Sequence, residues 1–79
     1  MNLIIVKAEW DPEASVWVAT SEDIRGLAAE AARFEDLRAK LVPIIEDLIE
    51  ENGLDSDLAE IPLCIVAHQM GKVQNLRAA

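Results

Sequence analysis

Asp11, Glu13, Glu22 and Asp23 fall in two polar stretches either side of a short apolar one. Several carboxylate oxygens gathered at one point are what a hard cation such as magnesium requires. Joined by His68, the acids Asp11, Glu13 and Asp23 make the residue set of a metal-dependent nuclease remnant, in which added magnesium or manganese would raise the melting temperature. Nothing in their spacing sets a shared geometry, and loop carboxylates more often serve as solvated turn formers. Cys64 and His68 stand four apart. On a strand that puts them on one face but too distant to act as nucleophile and base, so a buried small thiol and a strand-end histidine are the expected roles. Trp10 and Trp17 could stack on nucleic-acid bases, but the basic groove such binders need is absent. Packing across strands or at a subunit interface is the stronger reading. Arg25, Arg33, Arg38 and Lys40 are interspersed with acids and form no patch. No catalytic, cofactor-binding or metal-ligating residue is therefore assigned.

The elements that would position these groups follow from hydrophobic periodicity. Ile4, Val6, Ala8 and Trp10 are all apolar while the odd positions run Leu3, Ile5, Lys7 and Glu9, a period-two pattern that predicts a strand from Asn2 to Trp10. Asp11 to Ala14 carries turn chemistry, and Ser15 to Thr20 is rich in β-branched and aromatic residues, so a hairpin is expected. Its register stays open at this level. A five-residue loop sets Val16 and Val18 beside Ala8 and Trp10, whereas a four-residue loop sets Trp17 there. In either case Leu3 and Ile5 face the other way, and a side left uncovered by helix carries an apolar patch.

After the polar stretch Ser21 to Gly26, Leu27 to Ala31 is short enough for a third strand. Phe34, Leu37, Leu41, Ile44, Ile45 and Leu48 recur at three- and four-residue spacing, predicting an amphipathic helix from about Phe34 to Glu51 that stops at Asn52-Gly53. Pro43 should bend this helix without breaking it, because the apolar stripe keeps its phase across the proline. Ile61 to Met70 is almost continuously apolar, the pattern of an interior strand buried on both faces. A crossover through the helix would set it parallel to the first strand.

The chain has 79 residues, one cysteine and a formal charge of -8. That is room for one domain with no internal disulfide. At this size burial gain and ordering cost nearly cancel, which makes self-association, a homodimer first of all, the expected means of stabilisation. The charge repels phosphate backbones and anionic lipid and attracts basic protein, so nucleic-acid and membrane binding are not expected. Residues Met1 to Glu9 show no secretory pattern, which makes a cytoplasmic location the expectation.

The stretches Ala8-Glu9-Trp10-Asp11-Pro12-Glu13-Ala14, Val16-Trp17-Val18-Ala19, Asp23-Ile24-Arg25-Gly26-Leu27, Glu30-Ala31 and Leu41-Val42-Pro43-Ile44-Ile45-Glu46-Asp47-Leu48 resemble the HicB-like proteins, especially a stand-alone branch of unknown function. The resemblance implies an α+β fold: a three-stranded antiparallel meander, one helix, then a fourth strand (βββαβ), a truncated ribonuclease-H-like sheet without the nuclease acids. Residues 1–70 would form the single HicB-like domain and 71–79 a C-terminal tail. In HicB antitoxins this domain masks a small basic toxin that cleaves messenger RNA, and a separate segment binds operator DNA. Only about nine residues follow the last predicted strand here, too few for such a DNA-binding motif. Arg25 replaces a frequent proline, and Arg33 stands where a capping threonine is common.

The expected function is thus a non-enzymatic, antitoxin-like protein-interaction domain. The alternatives are the nuclease remnant and a purely self-assembling structural domain. A partner would engage the apolar sheet face around Leu3, Ile5 or Trp17 and the acidic helix surface at Asp36, Glu46, Asp47 and Glu50.

Overall fold

In the computed structural model, which describes residues 2–78, alternation along the first strand, β1 (Ile4–Asp11), decides how the sheet is covered. Ile4, Val6 and Ala8 are buried, and the intervening Ile5, Lys7 and Glu9 are exposed. The Asp11 carboxylate accepts hydrogen bonds from the backbone N–H groups of Glu13 (3.0 Å) and Ala14 (3.3 Å), and Ser15 N–H donates to the Asp11 carbonyl (2.8 Å). Ser15 takes the left-handed φ of 57° that closes the turn. This is the four-residue loop of the two registers open to the sequence. It pairs Asp11 with Val16 and Trp10 with Trp17, antiparallel, against β2 (Val16–Thr20).

The third strand, β3 (Ala29–Ala31), is shorter than the predicted Leu27–Ala31 and pairs antiparallel with β2. Leu27 instead turns into the core beside Ile24, after Gly26 has reversed the chain at a φ of 83° that side-chain-bearing residues rarely adopt. Helix α1 (Phe34–Asn52) runs unbroken through Pro43. Ala39, whose carbonyl loses its partner to the proline, is exposed, as is Pro43, so water can serve the orphaned acceptor. The predicted stripe is the one buried: Leu37, Leu41 and Ile45 pack on Val6, Ala8, Ala19 and Ala31. Gly53 ends the helix with a positive φ of 76°, its N–H donating to the Ile49 carbonyl at 2.7 Å.

The last strand, β4 (Leu63–His68), pairs parallel with β1, as the crossover arrangement predicts. Its place differs from expectation. The sheet order is β3-β2-β1-β4, so β4 is an edge strand and not an interior one. Cys64, Val66, Ala67 and His68 are exposed, and the expected burial of Cys64 does not occur. A continuous apolar run reads as doubly buried only if another element covers each side, and α1 sits over β2 and β3 instead of β4. The architecture is α+β: one mixed four-stranded sheet with a single helix on one face.

Candidate interaction surfaces

Three surfaces emerge from this arrangement. The first is the open sheet face, where the parallel register aligns Ile5 with Cys64 and Lys7 with Val66. Ile5 is 47% exposed, Val66 49%, and Leu3, just ahead of β1, 44%. Polar groups interrupt the patch: Lys7 and Glu9 form an exposed ion pair at 3.8 Å, and His68 lies opposite Glu9. Beyond the end of β2 the ladder is continued by side chains. Ile5 N–H donates to Asp23 Oδ2 (2.8 Å), Ser21 Oγ–H donates to the Ile5 carbonyl (2.6 Å), and Asp23 N–H donates to Ser21 Oγ (3.1 Å). Asp23 is thereby committed to backbone support at the start of β1.

Trp17 does not belong to this face. The four-residue loop turns it to the helix side, where its ring meets Trp10 and Phe34 edge-on, each at 5.5 Å between centroids. Leu3 and Ile5 are brought together, with Cys64 and Val66 as members that sequence reasoning missed. The signal for those two was alternation within the run Leu63–His68, masked because its inward positions are apolar as well.

The second surface is the exposed side of α1. Asp36 lies in its first turn, where a carboxylate complements the helix dipole. Glu46, Asp47, Glu50 and Glu51 crowd its C-terminal end, where the last turn holds no basic residue. Of these, Glu50 and Glu51 lie in the last turn and face the negative end of the dipole, at a cost of roughly 0.3–1 kcal/mol each at low ionic strength. All of the predicted helix positions, Asp36, Glu46, Asp47 and Glu50, are exposed.

The third surface was not foreseen. Between α1 and the β4 side of the sheet runs a groove of about 520 Å³, walled by Ile45, Ile49, Leu54, Leu58, Ile61 and Leu63, with Glu46 and Glu60 also lining it. It exists because the helix covers the other half of the sheet. Val42, off the buried stripe, and Leu58 leave large apolar side chains about half exposed along it.

The acids of the metal reading are not assembled. Asp23 supports Ile5, whereas Asp11 caps the hairpin at the far end of the same strand, roughly 20 Å away at ~3.4 Å per residue. Among the described residues no three of the His, Cys, Asp and Glu side chains converge as metal ligands. No helix among them is long and apolar enough to cross a membrane.

Fold and surfaces together define a small single-helix α+β domain built to present one sheet face, one sheet edge and an acidic helix. The chain belongs to the family described as Domain of unknown function (DUF1902), which it matches over residues 3–75. That span includes β4 and most of the tail. No curated protein matches the sequence. Among solved structures it is similar to the crystal structure of the hypothetical protein TTHA1013 from the extremely thermophilic bacterium Thermus thermophilus, at 42% identity and a TM-score of 0.71, covering 91% of this chain and 97% of that one.

Proposed function

We propose that this chain is a HicB-like, non-enzymatic interaction domain that binds a small basic protein in an antitoxin-like manner. The observation that carries the reading is the acidic end of α1, where Glu46 and Asp47 lead to Glu50 and Glu51 at the negative pole of the helix, with no basic residue in the last turn. A cationic partner converts that unfavourable arrangement into an attractive one. The half-exposed Leu3, Ile5 and Val66 add an apolar area that a partner can dry. Support also comes from the strand order, which fits the HicB-like resemblance carried by residues 8–48.

The test is to capture partners from the host lysate on the tagged chain at low and moderate salt, identify them by mass, and repeat with Asp47→Lys/Glu50→Lys. A small basic protein that is released by salt and lost with the variant supports the reading. The pair is then assayed for silencing of RNA cleavage. A partner held equally by the variant, or none at all, counts against it.

A further inference from the structure

The chain leaves two features unsatisfied at the same end of the molecule. One is β4, an edge strand of six residues with its outer row of backbone donors and acceptors unpaired by any other strand. Exposed edges of this length are usually shielded, shortened or charged. The only ionisable groups in β4 are Cys64 and His68. The other is the segment after it, residues 69–78, exposed throughout and bearing Met70 (80% exposed), Val73 (93%) and Leu76 (92%). Spacing of three puts Met70 and Val73 along one side of an extended segment with three residues per turn, and Leu76 follows in a turn closed by Ala78 N–H donating to the Asn75 carbonyl (3.1 Å).

The segment also differs in charge from the rest of the chain. It holds Lys72 and Arg77 and no acid, so that within the total of -8 the remainder carries -10. An apolar, basic strip of this kind matches the apolar groove between α1 and β4, where the ionisable lining groups are Glu46 and Glu60.

From these observations we infer that β4 and the tail form a homodimer interface, in which two β4 strands pair antiparallel and each tail lies in the other copy's groove. Antiparallel pairing dictates the second half of that statement. A chain leaving the C-terminal end of one strand runs back past the N-terminal end of the other, which brings Met70 and Val73 of one copy toward Ile61 and Leu58 of the second. The strand, the tail and the groove wall amount to roughly 25 residues per copy, the number a standard-size protein interface uses. Pairing the two edges removes the exposed ladder and yields one continuous sheet across the dimer. The open sheet face and the α1 acids Asp47, Glu50 and Glu51 lie outside the groove and stay accessible, so Glu46 is the one acid this interface shares with the basic-partner surface proposed above.

The two-fold exchange permits a decisive charge test in the full-length chain. Lys72→Glu/Arg77→Glu puts acidic tails against acidic grooves, and Glu46→Lys/Glu60→Lys puts basic grooves against basic tails. All four positions are exposed, and circular dichroism checks that the fold is retained. Light scattering at on the order of 100 μM should find the native chain dimeric and each variant weakened at least tenfold. An equimolar mixture of the two variants should recover the dimer, because each tail then meets a groove of opposite charge. A native chain that stays monomeric overturns the inference, as would happen if the tail folded onto its own groove. So do variants that dimerise undiminished, or a mixture that fails to recover.

Discussion

Arg33 stands at the N-cap of α1 with extended dihedrals and no side-chain bond to the first turn. Its guanidinium reaches Glu35 at 3.7 Å, but both side chains are exposed, so the pair contributes little. It also sets a positive charge at the positive end of the helix dipole. Arg33→Ser supplies the missing acceptor and removes the charge, and it should stabilise the fold by about 1 kcal/mol, raising the melting temperature by roughly 4–8 °C. An unchanged or lower midpoint would show that the cap does not limit the helix. Trp17 gives the opposite case. Between Trp10 and Phe34 it is a packing residue, so Trp17→Ala should lower stability by about 2 kcal/mol in chemical denaturation, less than the ~3–5 of a fully buried ring. A change within about 0.5 kcal/mol would return Trp17 to the free surface. The sequence leaves the face of Trp17 open because one residue of loop length moves it across the sheet. What decides the matter is the Asp11 carboxylate bonding two successive N–H groups.

At the level of elements, α1 is legible because its neighbours need not be known: a stripe at three- and four-residue spacing buries itself against whatever sheet is present. Leu41 is fully buried on that stripe, so Leu41→Ala should cost about 2–5 kcal/mol and leave a domain this small largely unfolded by circular dichroism. β4 is misread for the complementary reason. Periodicity reports which residues are apolar, and strand order reports which are covered. The run from Ile61 to Ala67 suits an interior strand by composition, yet among the described residues only β1 pairs with β4. Its exposed Cys64 offers a direct check. A neutral thiol reagent should label one cysteine per native chain at a rate independent of global unfolding. Labelling that tracks the unfolding rate would mean the open sheet face is covered in solution.

For the molecule as a whole, charge, size and fold class are legible from composition and element order, and the dimensions are not. A compact chain of this length has a radius of gyration of about 12 Å, and the observed value is 16.0 Å with a longest axis of 58 Å. Chain running from Leu63 to the turn that begins at Asn75 spans up to roughly 40 Å at ~3.3 Å per residue, so β4 and the tail account for most of that axis. Such a shape leaves an isolated copy with an unpaired edge, an unfilled groove and three exposed apolar tail residues, each a loss that a second copy would recover in the dimer inferred above. In that dimer folding and association are linked, and thermal stability is expected to depend on chain concentration. With an unfolding enthalpy of ~0.7 kcal/mol per residue, a dimer that dissociates as it unfolds should gain roughly 4 °C in melting temperature for each tenfold rise in concentration. Calorimetry across two decades measures this slope directly. Lys72→Glu/Arg77→Glu should flatten it while leaving the low-concentration midpoint in place, since neither residue touches the core. A flat profile for the native chain would mean that the core beneath α1 suffices alone, and that the edge and tail serve some purpose other than stability.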